Sequence, residues 1–109
     1  MKGRLIVIED DSYTGDPLAI RAKEYSAAAP LKDLKEAVGG SIESVPYWTT
    51  MKGKPCWVIC NEEGKLHGLP LNTAATMMWW SCAPQMRGVD MLHGPVAILT
   101  GDGEFMDAL

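Results

Sequence analysis

The sequence predicts an α+β domain, a small antiparallel or mixed sheet of about five strands with two helices packed on it. Three observations carry that reading. Short apolar, β-prone runs recur as Leu5-Ile6-Val7-Ile8, Cys56-Trp57-Val58-Ile59-Cys60 and Val96-Ala97-Ile98-Leu99, each read as a strand and the first as one buried on both faces. Helix signals stand between them, at Pro30 and at Asn72. The chain has 109 residues, 47% hydrophobic and 22% charged, which suits one domain of the usual ~100–150 residues. One domain over 1–109 is therefore expected, with an N-terminal hairpin and lead-in over 1–30 and a loose tail over 102–109.

The first apolar run is followed by Glu9-Asp10-Asp11, and residues 10–17 collect Asp, Ser, Gly and Pro, which turn the chain. Leu18, Ile20 and Ala22 then alternate with Ala19, Arg21 and Lys23. That spacing puts apolar groups on one face and predicts a second strand antiparallel to the first, a helix being the rival reading. Pro30 suits a first helical turn, and Leu31, Leu34 and Val38 recur at helical spacing. Gly39-Gly40 supplies the left-handed conformation common past a helix end. Residues 42–46 read as extended and 48–55 as a loop. After the strand at 56–60, Asn61-Glu62-Glu63-Gly64 reads as a turn and 65–69 as a returning hairpin arm. Asn72 is a good N-cap for a helix from Thr73 to about Ala83, which Pro84 stops. Gly94-Pro95 introduces the last strand and Gly101-Asp102-Gly103 ends it. Both helices are expected on one face of the sheet.

Net charge is −4 and the pI is near 5.0, so no duplex nucleic acid is expected as partner, since such binding needs many Lys or Arg contacts to phosphate. An excess of 14 acidic over 10 basic residues is also too mild to imitate a polyphosphate. Every apolar run is interrupted well short of the ~20 residues of a membrane span, so no membrane role is expected. Three cysteines, an odd number, without a leader-like start point to the reducing cytosol.

Three blocks carry a family resemblance. Residues 34–43 read Leu-Lys-Glu-Ala-Val-Gly-Gly-Ser-Ile-Glu, residues 61–72 read Asn-Glu-Glu-Gly-Lys-Leu-His-Gly-Leu-Pro-Leu-Asn, and residues 92–96 read Leu-His-Gly-Pro-Val. In content and order they resemble the uncharacterised family called domain of unknown function 3846, with a family-like core over 31–101. The resemblance brings no activity or catalytic set. It implies a setting, a small cytoplasmic accessory protein of a bacteriophage, plasmid or other mobile element, for which host takeover or counter-defence is the common role. Ser41 stands where members often carry an aromatic, and Met77-Met78-Trp79-Trp80 is not a mark of the family.

Chemistry-bearing residues are sparse. Cys56 and Cys60 share a strand face about 13 Å apart at ~3.3 Å per residue, too far to hold one zinc. Cys60, His67 and Cys82 form the remaining possible set, but free cysteine packs well in cores, and no metal is expected. Glu9, Asp10, Asp11 and Asp16 cluster without the spacing of a calcium loop and read as a solvated turn. Gly39-Gly40 and Gly101-Asp102-Gly103 lack the P-loop and dinucleotide patterns, so no cofactor is expected. The expected function is that of a non-enzymatic binding protein that occludes a host protein or sequesters a small nucleotide signal. The alternative is a small hydrolase or transferase using Cys60 or Cys82 with His67 or His93. Asn61, Glu62, Lys65 and Asn72 of the second block, with Trp48 beside Lys52 and Lys54, and Arg87, are the candidate ligand-binding residues.

At 100° per residue Ala75, Met78, Trp79 and Cys82 fall on one arc of the second helix and are expected on the sheet. Met77 and Trp80 then point away and are expected at an interface, most simply a symmetric homodimer, with a host-protein interface as the next choice. The competing reading has both faces of this helix in the core.

Overall fold

The computed structural model describes residues 1–11 and 16–109. Strands β1 (Gly3–Asp11), β2 (Asp16–Tyr25), β3 (Ile42–Ser44), β6 (Trp57–Asn61) and β7 (Val96–Gly101) form one sheet, ordered β2-β1-β7-β6-β3 and antiparallel throughout. A separate hairpin joins β4 (Thr50–Met51) to β5 (Lys54–Pro55). The helices are α1 (Leu31–Val38), α2 (Thr73–Cys82) and α3 (Gly103–Asp107). The α+β class is thus the observed one. Among the described residues no helix is long and apolar enough to cross a membrane. The turn read over 10–17 falls largely on residues 12–15, outside the described residues, as do the side chains of Asp11 and Asp16 from the acidic cluster.

The helices do not share a face. Cross-strand partners point to the same side of a sheet, and the register sorts them cleanly. Ile6, Ile98 and Val58 form one row, with Ile8, Val96 and Cys60 beside it, and these pack under α2 with Trp48 and Trp79. Leu5, Val7, Ala97, Leu99 and Ile59 face the other way, under Leu34 and Val38 of α1 and Phe105 of α3. Apolar runs without alternation are what a strand covered on both sides needs.

Four local expectations change for physical reasons. β2 pairs with β1 as read, yet Leu18 and Ile20 are 51% and 63% exposed, because β2 is an edge strand and the α2-side core reaches only its neighbour β1. Residues 65–69 form turns, not a hairpin arm. The His67 amide donates to the Glu63 carbonyl at 2.9 Å and the Leu69 amide to Gly64 at 2.9 Å, so local helical-type bonds satisfy backbone that a ladder would have used. The loop at 48–55 contains the β4–β5 hairpin, whose turn residues Lys52 and Gly53 have φ of 53° and 77°, as a two-residue hairpin turn requires. The tail is not loose. The Asp102 carboxylate accepts the Phe105 amide at 2.9 Å, capping α3, and Phe105 is fully buried against Gly3 and Gly101, where any Cβ would collide with its ring.

Helix α2 is rotated from the expected setting. Ala75, Thr76, Trp79 and Ala83 are buried, Met78 is half-buried and Cys82 is exposed. A buried threonine is tolerated because its hydroxyl accepts the Leu92 amide at 3.0 Å. The returning segment 84–92 lies along this flank, and the Trp80 indole donates to the Asp90 carbonyl at 2.9 Å. Of the two residues expected to point away from the sheet to an interface, only Met77, 56% exposed, is on the surface; Trp80 is half-buried within the chain.

Candidate functional site

The three sequence blocks, far apart in the chain, meet at one end of the sheet. Close backbone approaches hold them together. A Cβ on Gly40 would lie 2.9 Å from the Asn61 amide nitrogen, one on Gly64 2.8 Å from the His93 carbonyl, and one on Gly94 2.6 Å from Leu69. Each glycine therefore lets one block touch another. Asn61 adds two bonds, donating to the Val38 carbonyl at 3.1 Å and accepting the Glu63 amide at 2.8 Å.

These contacts frame a cleft of about 370 Å³ between β3, the 60–66 turn and the 90–93 segment, with Trp79 also lining it. Its carboxylates are Glu43, Glu62, Glu63 and Asp90 and its lysine is Lys65. Lys65 is paired with Asp90, and His67, outside the lining, pairs with Glu63 at 2.7 Å. Burial pushes the Asp90 carboxyl up, but the Lys65 ammonium and the Met91 amide outweigh it and hold the group below its ordinary range. Leu66 and Met91 in the lining are 80% and 45% exposed, so the wall carries apolar surface beside the acids. Tyr47, next in the chain to Pro46 of the lining, is 63% exposed and held at a φ of 65°, a backbone conformation that costs a bulky residue energy.

The cleft also contains Cys60 and His93. Burial, with the nearby Glu43 and Asp90 carboxylates, pushes the Cys60 thiol up to about 11. It is thus the protonated thiol at neutral pH, the opposite of an activated nucleophile. His93 Nδ1 lies 3.1 Å from the Leu69 carbonyl, so that nitrogen donates to backbone. Cys82 is exposed on α2, Cys56 is buried, and neither Cys82 nor His67 lines the cleft. Among the described residues no group of three or more His, Cys, Asp and Glu is placed to hold a metal ion.

Of the expected ligand residues, the structure brings Asn61, Glu62 and Lys65 into this cleft and leaves the rest elsewhere. Asn72 is fully buried, donating to the carbonyls of Ile8 and Gly94, both at 2.9 Å, and accepting the Ala75 amide at 3.0 Å. With both N–H donors used and no exposed surface, it is closed to a ligand. Trp48 is 1% exposed in the α2-side core. Arg87 is exposed and lies outside the lining. Glu43, Leu66, Asp90 and Met91 were not among the expected residues. Glu43 and Leu66 lie within the first two blocks, whereas Asp90 and Met91 sit in a segment with no periodicity to mark them.

No curated protein and no solved structure matches the chain. The family model described as Domain of unknown function (DUF3846) matches residues 3–108, taking in the N-terminal hairpin and α3 as well as the three blocks, and the chain belongs to that family.

Proposed function

We propose that this chain is a non-enzymatic accessory binding protein that occludes a host protein, receiving a basic side chain of that partner in the cleft between Glu43, the 60–66 turn and the 90–93 segment. The observation that carries this reading is the charge balance of the cleft, four carboxylates against one lysine, with Asp90 and Glu63 paired within the chain and Glu43 and Glu62 in no ion pair among the described residues. An aliphatic stem fits against the exposed Pro46 and Leu66 of the lining, while the cation lies among the acids. Leu66, Met91 and the neighbouring Tyr47 supply the exposed apolar and aromatic surface that protein interfaces favour. The same acids disfavour a nucleotide phosphate in this cleft. The protonated Cys60 thiol disfavours the hydrolase or transferase alternative.

The reading is tested by calorimetry with two short peptides, one with arginine between leucines and one with glutamate in its place. The arginine peptide should bind, the glutamate peptide should not, and Glu43→Gln with Glu62→Gln should weaken binding by about tenfold, ~1.4 kcal/mol. Equal affinity for both peptides, or no effect of the double substitution, would refute it.

A further inference from the structure

A second concavity, of about 530 Å³, lies at the other end of the sheet on the α2 side, where β1 begins and β7 ends beside the β4–β5 hairpin. Its lining contains Lys2, Arg4, Lys52 and Lys54, with two acids, Glu24 and Asp102. Both acids are occupied. Glu24 is bound by Arg4 at 2.6 Å, and Asp102 accepts the Lys2 backbone amide at 2.8 Å and lies 3.8 Å from the N-terminal ammonium. The ammonium groups of Lys2, Lys52 and Lys54 form no ion pair among the described residues. Three lysines thus rim one groove in a chain of net charge −4: Lys52 and Lys54 without a charge partner among the described residues, and Lys2 sharing the field of Asp102. Two of them are carried by the β4–β5 hairpin, Lys52 at a positive φ of 53° where asparagine or glycine is the usual choice. Partly buried Ile6 and Met51 contribute apolar lining.

We propose that this groove binds a small phosphate-bearing anion of two or more charges, of the size of a nucleoside diphosphate. Converging ammonium groups repel one another and gain when a polyanion lies between them, which singly charged ligands satisfy poorly. The volume lies within the range of small-ligand sites. An extended nucleic acid would meet the acidic remainder of the surface, so a compact ligand fits better. The proposal is independent of the cleft at the other end.

The test is an amide NMR titration of the whole chain with pyrophosphate, ADP and adenosine. Pyrophosphate and ADP should shift residues 2–6, 51–54 and 100–102, with affinity falling as salt rises, and adenosine alone should not. Tighter binding of ADP would assign the apolar lining to the nucleoside, and equal binding would assign the ligand to the diphosphate; both support the site. Lys52→Asn with Lys54→Gln removes two charges while respecting the turn, and should weaken binding at least tenfold with an otherwise unchanged spectrum. No shift at these residues, shifts by adenosine equal to those by ADP, or undiminished binding to the folded double variant would overturn the proposal.

Discussion

Asn72 does three things with one side chain: it caps α2, ties β1 through the Ile8 carbonyl, and ties the turn before β7 through Gly94. The cap is legible in sequence as an asparagine before a helical run. The two carbonyl bonds are not, because they join residues 64 and 22 positions away. Asn72→Ala should cost roughly 3–5 kcal/mol, since it strands two buried carbonyls and removes a cap; urea unfolding measures it, and a loss below about 1 kcal/mol would contradict this account. Trp48 shows the reverse. Its chemistry suggested a ligand platform, but it is core, with a buried indole N–H that has no hydrogen-bond partner among the described residues. Residue-scale electrostatics also set a pH limit. Cys60 ionises near its ordinary 9.0 in the unfolded chain but near 11 in the fold, and burial with the bond to Asp33 raises Tyr25 from 10.0 to about 12. A folded-state pKa that is raised contributes stability below the unfolded value and loses it as pH climbs toward the folded one. Stability should therefore decline from about pH 9 upward, and less steeply in Cys60→Ser and in Tyr25→Phe. Urea midpoints from pH 8 to 11 that run parallel to wild type would contradict the assignment.

At the scale of elements, burial on two faces explains which parts of the fold could be read. Strands β1, β6 and β7 are continuous apolar runs because a helix layer covers each side, and both longer helices carry recognisable end signals at Gly39 and Asn72. Burial was harder to read than pairing. Leu18 and Ile20 alternate like a core face, yet nothing among the described residues reaches the edge strand to cover them. Met-Met-Trp-Trp in α2 gives apolar groups all round the helix, so periodicity could not show that segment 84–92 would cover one flank. Trp80→Ser should accordingly lower stability by about 2–4 kcal/mol, through lost packing and an unpaired Asp90 carbonyl. Denaturation with light scattering checks it; a stable variant that merely turned a dimer into a monomer would instead place Trp80 in an interface. Gly64→Ala brings a Cβ to 2.8 Å from the His93 carbonyl, and forced backbone displacement of that kind should cost roughly 1–3 kcal/mol and open the cleft. Thermal unfolding of that variant reads the cost, and an unchanged midpoint would show the turn free to shift.

Over the whole molecule, charge is divided between the ends of the α2 face. The cleft at the Cys60 end of β6 gathers carboxylates, while the groove at the Gly101 end of β7 gathers unpaired lysines. The sequence showed the net charge and the three blocks but not this separation, because Glu43 and Asp90, or Lys2 and Lys54, become neighbours only through antiparallel closure. Convergence of the blocks on one acidic cleft with an apolar rim is the central claim. The most direct measurement is amide chemical-shift mapping of the chain with the arginine-centred peptide. Shifts concentrated at 43–46, 60–66 and 90–93, reached only at about tenfold higher peptide concentration in Glu43→Gln with Glu62→Gln, are the predicted result. Shifts absent from those residues, or centred on the edge strand β2 or on Met77 instead, would contradict it.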